Sequence, residues 1–323
     1  ALPATVFAAK DGESKEELTK VTLNEVAHSI FYAPQYVAIE EGYFAEEGLD
    51  LTLVTGFGAD KTMTAVISGE ADIGFMGAEA SIYAYQEGAT DPVVNFSQLT
   101  QRAGNFLVAR EEMPDFKWEY LKGKKVLGGR KGGMPEMVFE YILKKNGIDP
   151  QKDLTIDQSI DFGSTAAAFT GDDSAAYTVE FEPSATILEK EGAGYVVASL
   201  GEASGYVPYT SYSAKVSYME ENPEIIQKFT NALQKGMDYV QSHTPEEIAE
   251  VIAPQFKETD IETITTIVKR YYDQDTWKEN LIFEKDSFEL LQDILEDAGE
   301  LSQRVNYEAL VQTSSAEKAS KDK

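Results

Sequence analysis

Short apolar runs of strand length alternate along the chain with longer stretches in which apolar residues return every three or four positions. This alternation predicts mostly parallel sheets covered by helices. A strand is expected over 22–26, then a helix opening near Pro34, where proline suits the first turn, and closing at Gly42. In EEGLDLTLVTGFGADKTMTAVISGEADIGFMG (46–77) the pattern predicts a strand near 51–55, a helix near 61–68 and a strand near 72–76, with a second helix over 79–86 directly after. Two further extended apolar runs, 106–109 and 209–216, border the middle of the chain, and everything after about residue 218 has helical spacing.

The first unit has a weaker copy at 145–183, KNGIDPQKDLTIDQSIDFGSTAAAFTGDDSAAYTVEFEP. Gly48-Leu49-Asp50 corresponds to Gly147-Ile148-Asp149, Phe57-Gly58-Ala59 to Phe162-Gly163-Ser164, and Gly69-Glu70 to Gly171-Asp172. Each copy runs helix end, Gly-aliphatic-Asp, strand, Phe-Gly, small-residue helix, Gly-acid turn, strand, the order that two lobes of one architecture would produce. The expected organisation is a tether at 1–19, a first lobe from 20–107 and 211–312, a second lobe inserted at 108–210, and a flexible tail at 313–323. Two chain crossings between the lobes would make a two-strand hinge.

Composition narrows the function. The formal net charge is -28, from 56 acidic against 28 basic residues, so the surface field should repel nucleic acid and anionic lipid. No run approaches the roughly 18 apolar residues of a membrane span. The 323 residues contain no cysteine and two histidines, which removes disulfides and thiolate chemistry and leaves a zinc site dependent on carboxylates. No metal and no cofactor is expected: the glycines of VLGGRKGGMPEMVFEYIL (126–143) do not meet the GxxxxGK[ST] pattern of a phosphate-binding loop. Neither a G-x-S-x-G elbow nor a Ser-His-Asp order supports catalysis.

PQYVAIEEGYFAEEGLDLTLV (34–54), GADKTMTAVISGEADIGFMGAEA (58–80), LKGKKVLGGRKGG (121–133) and FEPSATILEKEG (181–192) carry a family resemblance. The chain, from about 20 to 300, resembles the substrate-binding proteins of ABC importers that serve nitrate, alkane sulfonates and thiamine-pyrimidine precursors, the SsuA/THI5-like group. That resemblance implies a type II periplasmic-binding-protein fold, an α/β architecture of two doubly wound lobes that close on one small molecule. It also implies an extracytoplasmic monomer that delivers its solute to a transmembrane permease and meets the membrane only through an N-terminal lipid anchor. Pyrimidine-precursor synthases resemble the same family, but they use a cysteine-rich iron site that this chain cannot supply. Members near the pyrimidine branch commonly show a Trp and a His after the first strand; here the stretch reads Glu25-Val26-Ala27-His28, with Tyr32 beyond it.

In doubly wound sheets ligands sit beyond the carboxyl ends of the strands, where loops and helix N-termini converge. His28 and Tyr32, after the first strand, are therefore expected to present rings to a planar ligand, while Phe31 and Tyr36 pack under the helix. Phe57 and Gly58 follow the next strand. Glu79 follows the third, as either a complement to its helix dipole or an acceptor for a ligand amine. The turn at Gly132, Gly133 and Met134, together with Glu180 at a strand end, would face the site from the second lobe, with Glu182 solvated. Tyr209 lies at the border of the second copy, and Arg102, Arg130 and Lys131 are the nearest bases. Glu25, Glu79, Glu136 and Glu180 outnumber the cations, which favours a planar solute bearing an amine or amidine over an oxyanion. Sulfonate, taurine or an aromatic acid is the alternative solute.

Overall fold

The computed structural model describes residues 18–161 and 163–321. The chain opens with β1 (Thr19–Glu25), a 3-10 turn (Ile30–Tyr32), α1 (Ala33–Glu40), β2 (Leu49–Thr55), α2 (Ala59–Ser68), β3 (Ile73–Gly77), α3 (Glu79–Gln86) and β4 (Val93–Thr100). The middle holds β5 (Phe106–Ala109), β6 (Lys125–Leu127), α4 (Met134–Lys145), β7 (Thr155–Asp157), α5 (Thr165–Gly171), β8 (Tyr177–Glu180), α6 (Ser184–Lys190) and β9 (Tyr195–Ser199). After β10 (Thr210–Lys215) come α7 (Pro223–Ser242), α8 (Pro245–Ile252), α9 (Ile261–Asp273), α10 (Lys285–Asp297) and α11 (Ser314–Lys321).

The strands form two five-stranded sheets, in the orders β2-β1-β3-β10-β4 and β7-β6-β8-β5-β9. The two orders are the same once β2, β1, β3, β10 and β4 are matched to β7, β6, β8, β5 and β9. In each sheet the first three strands are parallel, and the fourth, β10 or β5, runs antiparallel to both neighbours. Each antiparallel strand is reached by a chain crossing, so each sheet carries one strand delivered from the other half of the molecule.

The crossings are residues 101–105 and 200–209, and they are hydrogen-bonded to each other. The Val207 N–H donates to the Gln101 carbonyl at 2.9 Å, the Leu200 N–H to Asn105 at 3.0 Å, and the Tyr209 hydroxyl to Asn105 Oδ1 at 2.7 Å. Phe106 and Leu107, expected in the first lobe, pair in the second sheet with Glu180 and Val179, and Thr210, expected in the second, pairs in the first. The reason is that a strand joins the sheet its backbone bonds to, and an apolar run does not disclose which sheet that is.

The C-terminal helices cover the first sheet. In α7 the buried residues Ile226, Phe229, Leu233, Met237 and Val240 return at helical spacing, and this stripe packs on α1. Thr244 and Glu247 form a reciprocal capping box at the start of α8, and Asp260 caps α9 by accepting from the Thr263 N–H. The expected flexible tail is instead α11: Ser315, Ala316 and Ala319 are buried against α7, where Gln227 donates to the Ser315 carbonyl at 3.0 Å. Small residues at this spacing let a polar-looking segment dock closely. Thr19, assigned to the tether, already pairs with Leu49 in β1, and the rest of the tether, 1–17, lies outside the described residues. No described helix is long and apolar enough to cross a membrane.

Candidate functional site

The carboxyl ends of β1 and β3 meet the second lobe at a packed seam. Phe31 lies at its centre, its ring 5.2 Å from Tyr32, 5.5 Å from Tyr209, 5.3 Å from Tyr271 and 5.9 Å from Phe181 of the second lobe. Gly104 in the first crossing permits this packing, because a Cβ there would stand 2.5 Å from the Phe31 ring. Tyr32 packs edge-on to Phe75 at 4.5 Å and is buried, as are Tyr209 and Tyr271. Tyr32, expected to present its ring at the mouth, is therefore packed between Phe31 and Phe75, and the lobes are closed. Described recesses lie elsewhere: one of about 540 Å³ behind the hinge, at Gln101, Tyr206 and Asp275, and one of about 190 Å³ on the second lobe between Leu127 and Ala168.

Hydrogen bonds and ion pairs span the seam. The Ser29 hydroxyl donates to the Glu182 carbonyl at 2.8 Å, and the Tyr83 hydroxyl donates to the Gly132 carbonyl at 2.8 Å. Arg270 on α9 meets Glu182 at 3.2 Å and Glu189 at 2.9 Å, and Lys190 meets Asp260 at 2.9 Å. Glu182, expected to be solvated, is buried and also accepts from the backbone N–H and hydroxyl of Thr186. The sequence carries no mark of this clamp, since its partners stand 88 and 81 residues apart.

The four glutamates read from the sequence separate into different chemical states. Glu25, at the end of β1, is fully buried and saturated: Oε1 accepts from Tyr36 at 2.7 Å and Gln35 at 3.0 Å, Oε2 from Thr55 at 2.6 Å and His28 Nδ1 at 2.7 Å. It has no acceptor capacity left for a solute. This corrects its place in the site.

Glu79, the first residue of α3, is 2% exposed and its Oε2 has no hydrogen-bond partner. A Cβ on Gly77 would overlap this carboxylate, so only glycine at the end of β3 leaves room for it. Burial pushes the Glu79 carboxyl up to about 7, opposed by the backbone N–H groups of Glu79 and of Met134 on the other lobe. Tyr32, Tyr83 and Tyr209 all lie within its field.

Glu136, near the start of α4, accepts from Gln158 at 2.6 Å and leaves Oε2 without a partner; burial, then Glu140, hold its carboxyl up. Glu180 accepts from Thr178 at 2.5 Å, and burial pushes its carboxyl up to about 7 against the opposing bonds from Thr178 and Thr165, all within the second lobe.

His28 does not face the seam. Nδ1 meets Glu25 and Nε2 meets the Gln255 carbonyl at 2.9 Å, so both ring nitrogens stand against acceptors of the first lobe and the imidazolium satisfies both. Burial draws its pKa down, but the Glu25 bond and charge and the Gln255 carbonyl reverse this and leave it above 6.5. The stabilisation from His28 is therefore complete below about 6.5 and fades as pH rises through the raised value. His28→Gln is expected to lower stability by about 1–2 kcal/mol in acid, with the gap narrowing above neutrality. Urea midpoints of both proteins over a pH series check this; a gap that widens with pH would contradict it.

Phe57 is 64% exposed, in a left-handed backbone conformation, and with Gly58 it takes no part in the buried group. Arg102 serves the hinge: its guanidinium lies 4.2 Å over the Tyr206 ring and donates to the Gly201 carbonyl at 3.2 Å, joining the two crossings. Tyr209 joins the same crossings through Asn105 while its ring meets Phe31. The turn at Gly132, Gly133 and Met134 does reach Glu79 and Tyr83. Tyr83, Ser29, Tyr271 and Arg270 were not singled out in the sequence; Tyr83 alone had a visible cue, lying one helical turn after Glu79.

Residues 30–248 match the family model described as NMT1/THI5 like. YtlA of Bacillus subtilis (strain 168), whose name is provisionally that of a binding protein, is 46% identical over 98% of this chain and 95% of its own length. The riboflavin-binding protein RibY of Chloroflexus aurantiacus is 25% identical over 72% of this chain and 66% of its own. Among solved structures, the alkanesulfonate-binding protein SsuA from Xanthomonas axonopodis pv. citri, bound to MOPS, superposes with a TM-score of 0.73 at 15% identity, over 92% of this chain and 99% of that one. The periplasmic nitrate-binding protein NrtA from Synechocystis PCC 6803 gives 0.73 at 16% identity, over 95% and 89%. The two-lobed architecture is thus the periplasmic-binding-protein fold.

Proposed function

The chain belongs to the NMT1/THI5-like family, and from that premise we propose that it is an extracytoplasmic solute-binding protein of an ABC importer, closing its lobes on a small planar solute that carries hydrogen-bond donors. An aminopyrimidine of the thiamine-precursor kind fits this description. The observation that carries the reading is Glu79: a buried carboxylate oxygen without a partner, at the seam, under three tyrosines. A buried acceptor left bare costs its full desolvation, about 1–3 kcal/mol, and a solute N–H placed there recovers it. Against a ring face supplied by Tyr32 or Phe31, that solute would be flat.

The names of SsuA and NrtA raise the oxyanion alternative, and the charges oppose it. Arg102 lies over Tyr206 and donates to Gly201 on the hinge with its Nε unpartnered, Arg270 is engaged with Glu182 and Glu189, and the buried acidic groups at the seam outnumber these cations. RibY, by its name a binder of a flat heterocycle, is the relative whose solute class agrees with the reading. The absence of cysteine argues against a synthase. Delivery to a permease, attachment through an N-terminal lipid and a monomeric state belong to the same proposal.

Thermal shift against an aminopyrimidine, riboflavin, an alkane sulfonate and nitrate tests it, alongside mass spectrometry of small molecules carried through native purification. The expected result is a shift with a donor-bearing heterocycle that falls roughly tenfold or more in affinity in Glu79→Gln, the loss of a charge-assisted bond of about 1.5–3 kcal/mol. A sulfonate or nitrate bound equally well by Glu79→Gln would overturn it.

A further inference from the structure

Glu79 is enclosed from both lobes. From its own helix it faces Tyr83; from the turn after β1, Tyr32; from the second crossing, Tyr209; and from the second lobe, the backbone N–H of Met134. Beyond Tyr83, whose hydroxyl is bonded to Gly132, lie Glu136 and Glu140 of α4 and Glu300 after α10, all acids. Lys131 stands 4.0 Å from Glu300, and no ion pair engages Glu79 among the described residues. Closure therefore brings a carboxylate that has backbone N–H donors but no cation, and one oxygen without a partner, into a dry, acid-rich contact, whereas opening lifts the second lobe from it.

We infer that closing the lobes takes up one proton at Glu79, so that acid favours closure of the solute-free protein and a cationic solute, once bound, replaces that proton. The inference rests on the solute-binding reading for the identity of the site. The proton passes from solvent to the carboxylate on closure and back to solvent when the solute's positive charge takes its place. In the closed state burial holds the Glu79 carboxyl up at about 7, and lifting the second lobe away rehydrates it and lowers that value, so the closed form holds more protons just below 7. Closure accordingly strengthens as pH falls through about 7 and levels off once the open form is protonated as well. A single linked proton gives at most about a tenfold change in the closure constant per pH unit.

Distance measurement between labels on Lys61→Cys in the first lobe and Lys152→Cys in the second, without solute, tests this; the chain has no native cysteine to compete for label. The closed fraction is expected to rise as pH falls through this window, and the slope to vanish in Glu79→Gln. Glu180→Gln, which removes another group titrating near 7, is expected to keep the slope, because Glu180 is bonded within its own lobe. A flat wild-type profile, which needs no substitution at Glu79, overturns the inference, as does a slope lost in Glu180→Gln and kept in Glu79→Gln. Because no solute is present, this failure is separate from an unproductive binding panel.

Discussion

Glu25→Ala is expected to destabilise the fold by about 2–4 kcal/mol, because it removes the shared acceptor of two buried donors and two half-buried ones, His28 among them at 29% exposure. Four donors converge on this carboxylate from three places: His28 from the turn after β1, Gln35 and Tyr36 from α1, and Thr55 from the end of β2. Removing it leaves the buried Gln35 and Tyr36 and the half-buried Thr55 and His28 without their acceptor. Glu25→Gln keeps one acceptor oxygen but turns a donor toward His28 or the hydroxyls, so a smaller loss is expected. Urea unfolding at neutral pH checks both. A loss under about 1 kcal/mol for the alanine variant would mean that the network is not what holds α1 to the sheet.

Arg270→Ala is expected to act on closure more than on folding. Arg270 joins α9 of the first lobe to Glu182 and Glu189 of the second and also donates to the Thr186 hydroxyl at 3.0 Å. Opening the lobes rehydrates Glu182; closing them without Arg270 buries that carboxylate with only Thr186 for company. Because the guanidinium is partly exposed, the loss is placed at about 2 kcal/mol of the closed state, or roughly 30-fold in solute affinity, expressed mainly as faster release. Dissociation rates, together with the interlobe distance in the absence of solute, read this out. Glu182→Gln should relieve most of the defect, since it removes the charge that Arg270 neutralises. Unchanged release in Arg270→Ala would show that the aromatic packing around Phe31 and the other contacts across the seam hold it without this ion pair.

Much of the architecture was legible in the order of residues. The alternation of apolar periods located the strands and helices of the first unit to within a few residues, because a strand buries alternate positions or a whole short run while a helix buries every third or fourth. The repeated Gly-aliphatic-Asp and Phe-Gly steps pointed to two units of one design, and the sheets share one strand order. These features are local: each depends on residues a few positions apart, and the backbone obeys the same rules wherever the segment ends up. What escaped was what depends on packing. Segment 314–321 is polar by composition, yet it docks on α7 through serine and alanine, a choice made by the shape of the surface it meets.

The site divides in the same way. Glu25, Glu79 and Glu180 are one residue type at or just beyond the ends of β1, β3 and β8; His28 and Gln35 near Glu25 and Thr178 near Glu180 are local donors, but their presence in the sequence does not disclose which carboxylate ends up saturated. Their states are set by groups that arrive from far along the chain: Thr55, 30 residues on, completes the shell of Glu25, whereas the turn at Gly132, bonded to Tyr83 from 49 residues away, closes over Glu79 and leaves one of its oxygens bare. A carboxylate's donors and its distance from water are properties of what packs over it. Residue order could place acids at the ends of strands, but packing within the first lobe saturated Glu25, and the contact between the lobes covers Glu79 with one oxygen bare.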